Sequence, residues 1–365
     1  PVIFMNYGGQ MRWRMRSGEV LDADLGTMLT KDLTAHAWRT ALSPTGEWIP
    51  AVLRAADQRL TQVRRAIPDA GGLVIATNQT VARAYAKILT ELTGKRPTVI
   101  LSDDARAGGR IEEFAAGQDR WMVAVRMVSE GVDVPRLAVG VYATSTSTPL
   151  FFAQAVGRFV RSRRRGEVAT VFLPTVPILL AHAATLERQR DHVLGRSRSG
   201  ETDIWAETEA LIDAANREET ASDDLLGEFE ALESQATFDH VLFDSQAFGM
   251  HAEPTSQDEL DYLGLPGLLE PEQVSTLLAE RQRRQLRRRE RKDPKSQPEV
   301  PLHRALANQR KELNSLVAQL ARLEQRPHSH VHADLRRECG GPPLAQATTE
   351  QVTERIAKAR SWLRR

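Results

Sequence analysis

Gly71-Gly72-Leu73-Val74-Ile75-Ala76-Thr77-Asn78 opens the part of the chain whose reading decides the fold. Leu73 to Thr77 is a short apolar run without polar alternation, and an amphipathic stretch, Val81 to Leu92, follows it. The pattern repeats through Thr98–Leu101, a helical stretch Arg110–Ala116, and Trp121–Val125. After a loop containing Gly, Asp and Pro come Leu137–Tyr142, a helix over Leu150–Arg161, and Val168–Leu173. Apolar runs of this length, separated by helical segments, are buried parallel strands joined by crossovers. The spacing therefore predicts an α/β fold, a doubly wound parallel sheet of about 100 residues. Ligands of such sheets sit outside the carboxyl ends of the strands.

Toward the amino terminus, Val2–Tyr7, Gly8-Gly9 and Gln10–Arg16 read as a hairpin, because Gly-Gly supplies the positive φ of a tight turn. In its second strand Met11, Trp13 and Met15 share one face, and Gln10, Arg12, Arg14 and Arg16 the other. That basic ladder is either solvated or set to meet phosphates. Leu21 to Ile67 lacks strand alternation and predicts helices and turns, with Trp38 and Trp48 as packing anchors.

Toward the carboxyl terminus, Ser197 to Pro254 reads as weak helices in a mobile acidic connector. Pro271 to Lys292 is a helix with Pro-Glu in its first turn and arginines at its end, both favourable to the macrodipole. Asp293 to Pro301 breaks it, and Leu302 to Arg326 is a second long helix. Thr348 with Gln351 forms a capping-box pattern before a last helix, Thr349 to Trp362. No internal repeat is present.

The length of 365 residues predicts two or three domains. With 41% hydrophobic and 27% charged residues, collagen-like, mucin-like and fully disordered chains are excluded. The single cysteine excludes an internal disulfide and a four-thiolate metal site, which points to a reducing compartment, the cytoplasm. The longest apolar stretch, Thr170 to Ala184, contains Pro174 and Pro177 and falls short of the roughly 20 residues of a membrane span. No secretory signal is visible. The chain begins at Pro1, which predicts a processed terminus or a piece of something longer. The net charge of +1 sums opposed blocks: an acidic one over Glu201–Gln235, and basic ones over Arg158–Arg165 and Arg281–Lys292.

Two segments could carry chemistry. On a helix over Pro149–Arg161, Gln154, Arg158 and Arg161 fall within about 60° of one another. Phe152, Val156, Phe159 and Val160 point elsewhere, toward a core. Gly157 lies on the polar side, where its missing side chain lets a ligand approach, and Thr148 is placed as the cap. Guanidinium forks beside an amide suit an anion such as a γ-phosphate, and equally a solvated basic face. The loop Val128-Ser129-Glu130-Gly131-Val132-Asp133-Val134-Pro135 follows a central strand. There Asp133 can accept from a ribose hydroxyl, and Gly131 permits close backbone approach.

Leu73–Asn78, Val123–Pro135 and Gln154–Arg161 resemble, in order and spacing, motifs IV, V and VI of superfamily 2 DEAD/DEAH-type helicases. Q-A-V-G-R-F-V-R is similar to that family's Q-x-x-G-R-x-x-R, and M-V-S-E-G-V-D-V-P to its motif V. The branch it resembles most is the type III restriction-subunit and RadD-like one. The resemblance implies a RecA-like sheet in which Arg158 and Arg161 contact the γ-phosphate of ATP, with Arg161 the arginine finger. It implies that Gln154 couples nucleotide to the other domain, that Asp133 binds ribose, and that Gly131 and Glu130 shape its loop. Thr77, Asn78, Val128 and Ser129 would lie near the nucleic-acid backbone. Val125 departs from the hydroxyl residue frequent there.

The chain has no G-x-x-x-x-G-K-[ST] and no D-E-x-[DH] after a strand. The resemblance therefore implies the carboxyl-terminal half of a helicase or translocase. ATP with Mg2+ would bind jointly with a first RecA-like domain, and the other partner would be nucleic acid, DNA ahead of RNA, with no membrane. The expected organisation is a hairpin and helical inter-domain segment (1–70), a second RecA-like domain (71–196), an acidic connector (197–255) and a helical accessory domain (256–365). A non-catalytic nucleic-acid-binding scaffold is the alternative. A Rossmann-type enzyme would need a Gly-rich first turn after a strand, and none is found.

In the tail, His328, His330, His332 and Cys339 are possible zinc ligands, with His303 as a further one. Their spacing matches no zinc-finger pattern, and no metal site is assigned. The alternative there is a small helical bundle with Leu302, Leu306, Leu313, Leu316, Leu320 and Leu335 as its core. Arg281–Lys292 reads either as a solvated helix end or as a nucleic-acid contact.

Overall fold

The computed structural model describes residues 1–27, 29–101, 104, 106–125, 134–159, 163–164, 166–194, 229–292, 302–323, 326, 328–340 and 349–363. They form two compact units, Pro1–Ser296 and Gln297–Arg365. The boundaries expected near residues 70 and 256 do not separate compact units.

The first unit runs through β1 (Val2–Gly8), β2 (Gln10–Met15), β3 (Val20–Asp24), α1 (Lys31–Ala41) and α2 (Trp48–Arg64). The alternating α/β stretch follows as β4 (Gly71–Ala76), α3 (Gln79–Thr93), β5 (Thr98–Ile100), α4 (Ala107–Ala116) and β6 (Trp121–Val125). It closes with β7 (Leu137–Ala143), α5 (Pro149–Phe159), β8 (Ala169–Pro174) and α6 (Pro177–Leu194). Each apolar run is a strand within a residue or two of its expected bounds. Beyond 195–228, where the first half of the acidic connector lies outside the described residues, come β9 (Phe229–Ser234), β10 (Thr237–Phe243) and β11 (Gln246–Phe248). Helices α7 (Gln257–Leu263) and α8 (Pro271–Lys292) complete the unit.

Eight strands form one sheet in the order β11-β10-β1-β8-β7-β4-β6-β5. The run from β1 to β5 is parallel throughout, and β10 and β11 add antiparallel at one edge. Phe4 lies opposite Val171 on the neighbouring strand and stacks on Phe152 of α5. Thr170, one residue from Val171 and hence on the other face, meets Arg59 of α2. Helices α5 and α2 thus cover opposite faces, which defines a doubly wound α/β sheet.

Three sequence expectations are corrected. β1 and β2 are not a hairpin. β1 is buried at all seven positions, which an interior strand requires and an edge hairpin strand does not. At Gly9, with φ of +130°, the chain passes into a second sheet, β3-β2-β9. A Cβ there would lie 1.8 Å from the Gln235 carbonyl oxygen, where β9 and β10 make the same crossing in reverse. The segment 21–67 contains part of a strand, β3, held by pairing with β2 rather than by its own alternation. The acidic connector supplies strands over its last part: β10 pairs with β1 across more than 200 residues, from Asn6 to His240.

The alternation of β2 holds, with Met11 and Trp13 buried. Its basic ladder is flanked by acids: Arg12 lies opposite Asp22 and Glu233, and Arg14 forms a 2.8 Å ion pair with Glu230. Trp38 and Trp48 are buried, as expected of packing anchors.

The second unit contains α9 (Leu302–Leu323), α10 (His328–Cys339) and α11 (Thr349–Leu363), packed pairwise. Leu313, Leu320 and Leu335 are buried with Val317, Val331, Val352 and Ile356, and Leu316 is half-buried. The side chains of Leu302, Leu306 and His303 and the cap residue Thr348 lie outside the described residues. Among the described residues no helix is long and apolar enough to cross a membrane.

Candidate functional site

Strand order locates the site. From β4 the chain crosses by α3 toward β5, whereas from β7 it crosses by α5 toward β8 on the other side. β4 and β7 are neighbours, so a crevice opens between their carboxyl ends, where ligands of such sheets bind. The corresponding ends of β1 and β8 are filled: Trp48 Nε1–H donates to the Gly8 carbonyl at 2.9 Å, and Thr175 N–H to the Tyr7 carbonyl at 2.8 Å.

At the end of β4, Thr77 is half-buried and Asn78 exposed. Asn78 caps α3: its side-chain oxygen accepts the Val81 N–H at 2.9 Å from an extended backbone. The sequence expected it beside a nucleic-acid backbone; the structure gives its oxygen a structural task, which anchors the start of α3 at the crevice.

After β7 runs Thr144-Ser145-Thr146-Ser147-Thr148, which leads into α5. The loop is tied down from below. Tyr142 Oη–H donates to the Thr146 carbonyl at 2.6 Å, and His182 Nε2 lies 2.9 Å from the Ser147 carbonyl. Thr144 and Thr146 are buried and share a 3.2 Å hydroxyl contact. This support escaped the sequence reading; its one visible signal was the unbroken Thr/Ser run ahead of a helix. Thr148 accepts the first helical bond, from Phe152 N–H at 3.0 Å, consistent with its expected place at the start of α5.

On α5 the apolar side is as expected: Phe151, Phe152, Ala155, Val156 and Phe159 are buried. Gln154 and Arg158 are half-buried and Gly157 is exposed, with nothing within 4 Å of an added Cβ. β7 makes room for this helix at Gly140, where a Cβ would lie 2.4 Å from the Phe159 ring. One guanidinium, one carboxamide and a stretch of uncovered backbone therefore sit on the same helix beside the crevice. That set fits an anionic group approaching from one side. Arg161, Val160, Val128, Ser129, Glu130, Gly131 and Asp133 lie outside the described residues, and Val125 is buried at the end of β6.

Two other arginines, which the sequence did not mark, are buried structural cations. Arg59 donates through Nε to Thr170 Oγ1 at 2.9 Å and through Nη1 to the carbonyls of Leu263 and Leu265. Arg136 donates to the carbonyls of Phe114 and Asp69 at 2.7 and 2.8 Å and lies over the Phe114 ring. Burial lowers each guanidinium to about 10.

Four of the possible zinc ligands, His328, His330, His332 and Cys339, lie along one helix, α10. His328 and His330 are exposed, His332 and Cys339 half-buried. Burial lowers the His332 imidazole and raises the Cys339 thiol. Among the described residues no three His, Cys, Asp or Glu side chains are grouped to hold a metal ion.

No family model matches the chain. It is 51% identical over 362 residues to the uncharacterized protein Rv2917 of Mycobacterium tuberculosis. It is 49% identical over 367 residues to the uncharacterized protein ML1624 of Mycobacterium leprae. These alignments cover 98% and 99% of this chain but only 60% and 61% of the relatives, so the chain spans about three-fifths of their length. Among solved structures, it is similar to the Mss116p DEAD-box helicase domain 2 bound to an RNA duplex: 14% identity, TM-score 0.32, 45% of this chain and 64% of that one. Saccharomyces cerevisiae Dbp5 bound to RNA and ADP BeF3 gives 16% identity and a TM-score of 0.30, over 46% of this chain and 42% of that one. The Pyrococcus furiosus Hef helicase domain gives 20% and 0.25, over 33% and 25%.

Proposed function

We propose that this chain supplies the second RecA-like domain of an ATP-dependent superfamily 2 helicase or translocase, with an accessory helical unit. One observation carries the reading: Gln154, Gly157 and Arg158 share the open side of α5, which leaves β7 at the crevice beside β4. They belong to the Q-A-V-G-R-F-V-R segment that resembles motif VI. In this reading Arg158 and Arg161 neutralise the γ-phosphate oxygens as the two RecA-like domains close. Gln154 reports nucleotide to the partner domain, and Asp133 holds the ribose. ATP with its Mg2+ supplies the hydrolysable phosphoanhydride, and a first RecA-like domain outside this chain supplies the phosphate loop and the magnesium carboxylates. Nucleic acid would run over the carboxyl ends of β4 and β6, past Thr77, Asn78, Val128 and Ser129.

The test measures nucleic-acid-stimulated ATPase with and without a matched first domain. The chain alone should show negligible turnover. The paired protein should lose activity on Arg161→Ala by about 10³-fold or more, the range for an arginine finger. Robust turnover by the chain alone, abolished by Arg161→Ala, would overturn the half-site reading.

A further inference from the structure

Helix α8 carries eight basic residues between Arg281 and Lys292, and the fold sorts six of them into two groups. One group is built into the protein. Arg288 pairs with Asp258 at 3.1 Å and Asp261 at 2.7 Å, both on α7. Arg289 donates to the His251 carbonyl. Between them in helical projection, buried Gln285 donates to the Met250 carbonyl at 2.8 Å and accepts Met250 N–H at 3.0 Å and Tyr262 Oη–H at 3.2 Å. The helix is thereby fixed in rotation as well as position.

The other group faces away. Arg283, Arg284, Arg287 and Arg291 are exposed and, at 100° per residue, fall within about 100° of one another. Arg284 reaches Glu280 at 3.4 Å; for Arg283, Arg287 and Arg291 no ion pair is formed among the described residues. Glu280 and Glu290 are acids of α8 on the same side of the helix. Successive arginines at i, i+4 and i+8 stand about 6 Å apart along the axis, a line of charge about 12 Å long. Over 12 Å a DNA duplex presents about seven phosphates. Holding four cations on one rigid face with so little internal neutralisation works against folding, and it is relieved by a rigid polyanion outside the chain.

We infer that this arginine stripe is a docking site for the phosphate backbone of a DNA duplex, separate from the crevice between β4 and β7. α8 packs on β11, the outermost strand, and β4 lies five strands further in. At about 4.8 Å per strand, β11 and β4 are about 24 Å apart across the sheet, or seven base pairs. A duplex of 20 base pairs is long enough to reach both. The stripe would hold the duplex while the crevice works on it, so the choice of DNA rests on the helicase reading.

The experiment measures binding of a labelled 20-base-pair DNA duplex to the full chain between 50 and 200 mM salt. It compares the wild type with R283Q/R287Q/R291Q and with R283K/R287K/R291K. Three lost phosphate contacts should lower the slope of log K against log salt by about 2.7, so wild-type affinity falls about 40-fold further over that range. The lysine variant should keep the wild-type slope, and all three should melt together, because the altered residues are exposed. Equal slopes for wild type and glutamine variant overturn the stripe and leave the helicase reading standing. A wild type that binds no DNA at 50 mM salt overturns the stripe, while the helicase reading stands or falls on the ATPase of the paired protein. Binding to phosphatidylserine vesicles that is lost in the glutamine variant, with DNA binding unchanged, assigns the stripe to a membrane and overturns the inference. A reduced slope in a protein whose ATPase ignores Arg161→Ala keeps the stripe and removes the helicase reading.

Discussion

Gly140→Ala tests whether the position of α5 is set by the sheet beneath it. Gly140 sits in mid-sheet, between Leu73 of β4 and Val171 of β8. An added Cβ would stand 2.4 to 2.5 Å from Cγ, Cδ1 and Cδ2 of Phe159. Ordinary contact begins near 3.4 Å, so ring and methyl must separate by about 1 Å. Phe159 is fully buried, packing around it is tight, and overfilling of this kind costs about 1–3 kcal/mol. At about 2–4 °C per kcal/mol for a unit of this size, the melting temperature should fall by roughly 2–12 °C. The functional cost is separate. Under the proposed function Arg158, which precedes Phe159, contacts the reacting phosphate, and a displacement of about 1 Å in such a group can cost 10²-fold in rate. Thermal melts and urea titrations read the first effect; the nucleic-acid-stimulated ATPase that the proposed function expects of the chain paired with a matched first domain reads the second. Phe159→Leu makes room, so the double variant should be at least 1 kcal/mol more stable than the two single costs sum to. A Gly140→Ala protein as stable and as active as the wild type, or strictly additive costs in the cycle, would refute the packing argument.

Two further perturbations probe the frame around the site. Arg59→Met should cost about 3 kcal/mol in urea unfolding, because Thr170 and the carbonyls of Leu263 and Leu265 lose a buried charged donor; a cost below about 0.5 kcal/mol would mean that water or a neighbour replaces it. Glu259 accepts from Tyr7 Oη–H at 2.6 Å and from Thr255 N–H, and burial holds its carboxyl above the ordinary value of 4.5. A raised folded value means that the folded chain binds this proton more tightly, a contribution complete below the unfolded value and lost as pH rises through the folded one. The stability of the wild type relative to Glu259→Gln should therefore decline from pH 4 to pH 7, and a difference independent of pH would contradict the assignment.

The central α/β stretch was legible because its signal is local. A strand buried on both faces needs an unbroken apolar run, and Leu73–Ile75, Trp121–Val125 and Leu137–Val141 each show one. α5 was legible for the same reason, since Phe152, Val156 and Phe159 recur at helical spacing opposite Gln154 and Arg158. β10 was not. Its Asp239-His240 pair breaks the apolar run, yet both residues are buried: His240 Nδ1 lies 3.0 Å from Asp239 Oδ2, and Asn6 Nδ2 lies 3.1 Å from His240 Nε2. A polar pair buried against a strand far away in the sequence looks like a loop until that partner strand is known.

The sequence by itself determined the strands and crossovers from Gly71 to Pro174, the apolar and polar sides of α5, and the charge on α8, all properties set within a few turns of chain. Tertiary structure alone decided that β1 and β10 extend the same sheet, that Gly9 passes the chain into a second one, and which arginines of α8 are anchored and which face outward. Those outcomes depend on pairing between residues more than 200 positions apart and on which side of a helix meets a neighbour, and neither leaves a period in the sequence.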